Sequence, residues 1–152
     1  MSKIGAQNSL VIQLARECLE RSGFNNVQAN QNQGTFPRVY VTAERAGVKY
    51  LIGITGREEM RPDGRPREDY TLLRTAQDRK NAQYLIQKMG RIPAFVAVAL
   101  RIKDGTYSPY FRDLGSMGFP RFVPMKPADR SQCQLLTAPT NPDPRTIRLS
   151  LL

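Results

Sequence analysis

Residues 94–100, AFVAVAL, constrain the fold more than any other part of the chain. A strand with one face in water alternates apolar and polar side chains, whereas this run is apolar at every position. It is also too short for a typical buried helix. The run therefore predicts a central strand of a sheet that is covered on both faces, with a layer of structure on each side.

Two segments have helical periodicity. Apolar side chains recur at helical spacing in residues 9–22, and Gly23 is placed to end that helix. A second helix is predicted to end near Met89. Thr75 and Asp78 have the spacing of a capping box at its start, in which each side chain bonds the backbone N–H of the other residue. The chain thus supplies two amphipathic helices to cover the predicted sheet.

The remaining strands follow from β-branched and aromatic runs bounded by turn residues. Residues 38–44 and 48–55 predict a hairpin, residues 106–112 a strand after the central one, and residues 146–151 a final strand. The fold class predicted is α/β, with a mixed central β-sheet flanked by helices. We expect one domain over residues 1–152, in which residues 113–152 form an irregular extension rich in proline and glycine.

Composition removes several classes of chemistry. The chain has no histidine, so it has no Ser–His or Cys–His nucleophile and no His-containing zinc site. Cys18 and Cys133 are the only cysteines, and they are far apart in sequence. Cys18 lies on the apolar stripe of the first helix, which predicts a core residue. Two cysteines so far apart in sequence favour a reducing, cytoplasmic setting. No apolar run is long enough for a membrane span, and no phosphate loop is present.

The charge balance points to anionic partners. There are 23 Lys and Arg against 13 Asp and Glu, a formal net charge of +10. Such an excess favours contact with phosphate polymers, and we expect nucleic acid, with DNA as the first choice. The excess is spread along the chain rather than gathered in one block. A homodimer or a protein partner stays open.

Seven basic residues are candidate phosphate contacts, because guanidinium groups match phosphate oxygens. They are Arg38, Arg57, Arg61, Arg65, Arg67, Arg79 and Lys80. The competing interpretation is that four of them lie in a solvated loop whose charges nearly cancel. Residues 107–122 mix aromatic and basic residues, which can stack bases. The competing interpretation of residues 107–122 is a strand hairpin whose aromatic side chains pack in the core.

Three segments carry a family resemblance. They are Phe-Pro at residues 36–37, KYLIGITGR at 49–57, and NAQYLIQKMGRIPAFV at 81–96. With these segments, residues 9–112 resemble the PD-(D/E)XK nuclease-like family, which has the restriction-endonuclease-like fold. The resemblance implies an αβββαβ core of a helix, a three-stranded meander, a helix and a further strand.

The catalytic positions of that family are not kept. The family holds divalent cations with an Asp and a Glu, and a Lys two residues after the Glu orients the attacking water. This chain has Arg38, Gly53 and Thr55 at the matching positions. The resemblance therefore implies a scaffold whose metal site is lost, with no catalytic residue, no metal and no other cofactor. Glu20 and Glu44 are the candidates if carboxylates have migrated.

Three functions follow from these observations. The first is a nucleic-acid-associated protein, expected to bind DNA, on a nuclease-like scaffold without its catalytic metal site. The second is an active, magnesium-dependent endonuclease with migrated carboxylates. The third is a non-enzymatic accessory module that binds another protein, in which the basic charge serves solubility or an acidic partner.

Overall fold

The order of helices and strands follows the predicted pattern. The computed structural model describes the backbone of residues 3–31 and 39–138, and the side chains of residues 10–29 and 40–138. Its elements are α1 (Lys3–Arg21), β1 (Asn25–Gln31), β2 (Val39–Arg45), β3 (Val48–Glu58), β4 (Asp69–Thr71), α2 (Ala76–Met89), β5 (Ile92–Arg101), β6 (Thr106–Asp113), β7 (Phe122–Pro124), α3 (Pro127–Arg130) and β8 (Gln134–Leu135), with one 3-10 turn at Gly115–Met117.

A six-stranded mixed sheet organises these elements. Its strand order is β1-β2-β3-β5-β6-β8. The first three strands form an antiparallel meander, and the next neighbour, β5, runs parallel to β3. Parallel neighbours need a crossover, and the segment with α2 provides it. β4 and β7 form a separate two-stranded sheet. The mixed α/β class predicted from the sequence is confirmed.

The sheet separates two apolar cores, and β5 contributes to both. Its residues 93–100 are all buried. Val96 and Val98 belong to the core that α1 covers, together with Leu14 and Leu19. Phe95 and Ala97 belong to the other core, which α2 covers with Ala82 and Leu85. The prediction of a central strand covered on both faces is therefore confirmed.

One glycine of β3 fixes how closely α1 approaches the sheet. A Cβ atom built on Gly56 would lie 2.6 Å from Cγ2 and 2.7 Å from Cγ1 of Val11 on α1. Those separations are well inside van der Waals contact. Gly56 is therefore a packing residue of the strand, where the helix comes nearest to the sheet.

The ends of α2 are set by the predicted local signals. The Thr75 hydroxyl accepts a hydrogen bond from the Asp78 backbone N–H at 3.0 Å, and the Asp78 carboxylate accepts one from Thr75 N–H at 3.4 Å. Gly90 adopts the left-handed conformation, φ 61°, and its N–H bonds the Ile86 carbonyl. This geometry satisfies backbone groups that a helix end leaves free, so the capping box is confirmed.

Two regions differ from the sequence-based interpretation. β3 continues through Glu58 because it pairs with β5 up to Glu58–Leu100, so the exposed loop begins later than predicted. Beyond Asp113, the described residues form β7, α3 and β8, with Val123 and Met125 fully buried. The strand predicted over residues 146–151, the Phe-Pro motif at 36–37 and Arg38 lie outside the described residues. No helix in the described ranges is long and apolar enough to cross a membrane.

Candidate functional site

The two positions of β3 that the sequence resemblance matches to a Glu and a Lys are buried. Gly53 and Thr55 share one face of β3 and both are buried. A Cβ atom built on Gly53 would lie 3.1 Å from Leu72 Cδ1 and 3.3 Å from Phe119 Cε1. The Thr55 hydroxyl donates a 2.7 Å hydrogen bond to the Thr71 carbonyl. Since apolar side chains close this part of the face, a longer carboxylate at position 53 would have to displace them.

The next residue on the same face, Arg57, is exposed, and its charge is repelled by those of Arg67 and Arg74. Arg67 Nε donates a 3.1 Å hydrogen bond to the Glu58 carbonyl, which places Arg67 beside the end of β3. The bond between the Thr55 hydroxyl and the Thr71 carbonyl ties the segment at Thr71 to β3, and Arg74 follows in that segment. Desolvation lowers the pKa of Arg57, and the positive charges of Arg67 and Arg74 lower it further. We call Arg57, Arg67 and Arg74 the arginine cluster.

No member of the arginine cluster forms an ion pair among the described residues. Among the described residues, the ion pairs within 4.0 Å join Lys49 to Glu44, Arg61 to Asp63, and both Arg101 and Arg130 to Glu59. None of them includes a member of the cluster. Three guanidinium groups that repel one another create a positive potential that favours a bound anion, and each can make forked hydrogen bonds to phosphate.

The other predicted phosphate contacts have different surroundings. Arg61 pairs with Asp63 at 3.9 Å, and the Arg65 backbone N–H donates to the same carboxylate. Both arginines lie on the turn closed by the Met60–Pro66 bridge. Arg79 Nη1 donates a 3.2 Å hydrogen bond to the Leu73 carbonyl, so it supports the residue before Arg74. Lys80 is exposed on α2.

Of the predicted set, Arg67 bonds the Glu58 carbonyl next to Arg57, and Arg57 is repelled by Arg67 and by Arg74, which was not predicted. Sequence reasoning missed Arg74 because it stands alone, between two buried leucines and the cap of α2. No spacing rule links position 74 to position 57. The only usable signal was its place just before a predicted helix start, and that signal is too general to indicate a binding residue.

The candidates for migrated carboxylates have ordinary structural surroundings. Glu44 accepts a 3.2 Å hydrogen bond from Asn26 Nδ2 and lies 4.0 Å from Lys49 Nζ, its neighbour across the β2–β3 pair. Glu20 is exposed on α1. Within the described part of the chain, no group of three or more His, Cys, Asp or Glu side chains is arranged to hold a metal ion.

Two buried groups that could act as nucleophiles are held in their protonated forms. Burial raises the pKa of the Cys18 thiol to about 11 and that of the Tyr70 hydroxyl to about 12. A thiolate or phenolate is the reactive species, and neither is populated near neutral pH at these values. Cys18 is fully buried in the core, as its position on the helical stripe predicted.

Glu59 joins three elements just beyond β3. Its carboxylate accepts hydrogen bonds from Arg101 Nη1, at 3.1 Å, and from Arg130 Nη1. Arg130 also donates from Nε to the Met125 carbonyl at 2.8 Å. Partial burial raises the pKa of Glu59, but the hydrogen bonds and charges of the two arginines outweigh burial and lower it overall. This network holds the segment of α3 against the end of β3.

Replacing Glu59 by glutamine is expected to lower the free energy of unfolding by about 2 kcal/mol at pH 7, because two partly buried guanidinium groups lose their anion. The folded-state pKa of Glu59 lies below the ordinary value of 4.5. Its contribution is therefore complete above that value and is lost as pH falls through the folded-state pKa. Urea unfolding of both proteins over a pH series measures this. An equal difference between the two proteins at all pH values would contradict the assignment.

The comparisons with known proteins give no match. No family model matches the chain, and no curated protein and no solved structure matches it at a significant level. What the chain binds is therefore inferred from its own residues.

Proposed function

We propose that this protein binds nucleic acid, with DNA as the expected form, through the arginine cluster at the end of β3. The observation that carries the proposal is that Arg67 is held at the Glu58 carbonyl beside Arg57, that Arg57 is repelled by Arg67 and Arg74, and that none of the three has an ion-pair partner within 4.0 Å among the described residues. A guanidinium group without a carboxylate partner can donate two parallel hydrogen bonds to phosphate oxygens, and these bonds stabilise the complex.

The net charge of the whole chain supports the same partner. At +10 the protein attracts polyanions over long range, and phosphate contacts supply most of the affinity in sequence-independent binding. The cluster would then fix where the backbone of the nucleic acid lies. A small anion alone would not need the excess positive charge that is spread along the chain.

The proposed scaffold is nuclease-like, with its catalytic metal site lost. The order α1, three-stranded meander, α2 and parallel β5 supports a restriction-endonuclease-like core. Gly53 and Thr55 stand in place of the family's Glu and Lys. Both are buried, and Leu72 and Phe119 cover Gly53. Nucleic acid therefore does not reach the motif positions in this proposal. It lies farther along β3, where Arg57 reaches solvent, and no magnesium or other cofactor takes part.

The active-endonuclease alternative gains no support from the described carboxylates. A nuclease on this scaffold needs at least two carboxylate oxygens converging on a divalent cation. Glu44 is instead engaged by Asn26 and Lys49. We therefore infer that the chain binds without cleaving.

Fluorescence anisotropy of labelled DNA in a salt series tests the proposal. If three phosphates are neutralised, the logarithm of the binding constant falls with the logarithm of salt concentration with a slope of about −2.7 on duplex, or about −2.1 on a single strand. Incubation with magnesium should leave the DNA intact. Absence of binding at low salt would contradict the proposal and favour the accessory module. Cleavage would favour the endonuclease.

A further inference from the structure

An exposed aromatic ring lies on the strand that pairs with the segment before Arg74. Phe122, the first residue of β7, leaves 41% of its surface accessible. The guanidinium carbon of Arg121 lies 4.9 Å from the centre of its ring, so the cation covers one side of the ring. An arginine in this position favours stacking on the ring, because the aromatic face carries negative potential.

Hydrogen bonds tie this pair of residues to the segment that carries the cluster. The Arg121 carbonyl accepts from the N–H groups of Leu72 and Leu73, at 2.8 and 3.2 Å, directly before Arg74. Phe122 stands opposite Thr71 in the β4–β7 pair. Thr71 is in turn the residue bonded by Thr55, two positions before Arg57. Backbone contacts thus hold Arg121 and Phe122 against the segment that leads into Arg74.

Phe122 lies on the side of β7 that faces away from the core. The next pair along the two strands, Tyr70 and Val123, is fully buried, and alternation turns Thr71 and Phe122 to the opposite side. Two other aromatic residues of the segment 107–122, Tyr107 and Phe111, are buried in the core. For these two, the competing interpretation of the segment as a core-packing hairpin is confirmed. Phe122 differs from them because it contributes little to either core.

We propose, resting on the proposed function, that Phe122 with Arg121 stacks an unpaired base, and that the ligand is therefore single-stranded nucleic acid. Phosphates on the arginine cluster would bring the adjoining base to the ring. Every base has a π-face, so such stacking needs no particular sequence. In a duplex both faces of each base are already stacked, and presenting one to Phe122 would require unpairing it.

The decisive experiment compares a labelled single strand of about 12 nucleotides with a duplex of equal length, on the wild type and on Phe122→Leu and Phe122→Ala. We expect the wild type to prefer the single strand. Both variants should lose roughly tenfold of single-strand affinity with the salt slope unchanged, because the loss is stacking and not charge. Phe122→Tyr keeps the ring and should bind like the wild type.

Tyr84 provides the matched control. It is an aromatic residue on α2, 61% exposed, with the Lys88 ammonium 5.8 Å from its ring centre, and it has no backbone tie to Arg74. Tyr84→Leu should bind the single strand like the wild type. Preference for duplex, or an unchanged affinity in both Phe122→Leu and Phe122→Ala, would overturn the stacking site while leaving phosphate binding intact. Absence of binding to either DNA by the wild type would instead contradict the proposed function itself.

Discussion

Replacing Arg57, Arg67 and Arg74 together by glutamine is expected to weaken DNA binding by about a hundredfold at low salt. Arg57 is repelled by Arg67 and Arg74, and none of the three forms an ion pair among the described residues, so under the proposed function each removed charge takes away a phosphate contact. The salt slope should become shallower by about two to three, since fewer counterions are released. Anisotropy titrations at several salt concentrations measure both quantities.

A control with the same loss of charge separates the cluster from the general basicity of the chain. Arg16 and Arg21 are exposed on α1, which covers the opposite face of the sheet, and Lys49 is exposed at the start of β3. Replacing these three by glutamine should reduce affinity only a few-fold, through the long-range field. If the two triple variants weaken binding equally, nucleic acid is held by diffuse charge and the cluster has no special role.

Introducing a side chain at Gly56 is expected to cause the largest loss of stability. The Cβ atom of alanine would lie 2.6 Å from Val11, so either α1 or β3 has to move. Overpacking of this kind costs about 2–3 kcal/mol in free energy of unfolding. Urea unfolding followed by circular dichroism measures it for Gly56→Ala. An unchanged midpoint would show that α1 does not press on β3 at this point.

A second substitution identifies Val11 as the cause. Val11→Ala alone should destabilise the protein by roughly 1–2 kcal/mol, because it leaves a space in the core. In the double variant the alanine at position 56 occupies part of that space. Its loss in free energy of unfolding should therefore be smaller than the sum of the two single losses by at least about 1 kcal/mol. Strictly additive losses would assign the effect of Gly56→Ala to the backbone and not to this contact.

The sequence was informative wherever a structural feature depends on neighbouring residues. The unbroken apolar run at 94–100 predicted the strand that contributes to both cores. Thr75, Asp78 and Gly90 predicted the ends of α2, because capping is decided within one turn of helix. These signals are local, so tertiary packing did not need to be known.

The site depended instead on contacts between distant segments. Leu72 and Phe119 cover Gly53 because β4 and β7, each three residues long, fold back over β3. Strands this short carry no detectable periodicity. Arg74 and Phe122 are brought to the end of β3 by the same pairing, so their neighbourhood could not be read from spacing. Arg57 and Arg67 were predicted from composition, without any sign that they meet.

The bond from Thr55 to Thr71, together with the bond from Arg67 to the Glu58 carbonyl, has a thermodynamic consequence. The Thr71 carbonyl ties the segment before Arg74 to β3, and the Glu58 carbonyl holds Arg67 beside Arg57, so the repulsion of Arg57 by Arg67 and Arg74 is incurred when the chain folds and is present before any ligand arrives. A bound anion relieves it. If the cluster binds an anion as proposed, ligand binding and folding are linked, and occupancy of the cluster is expected to raise the melting temperature.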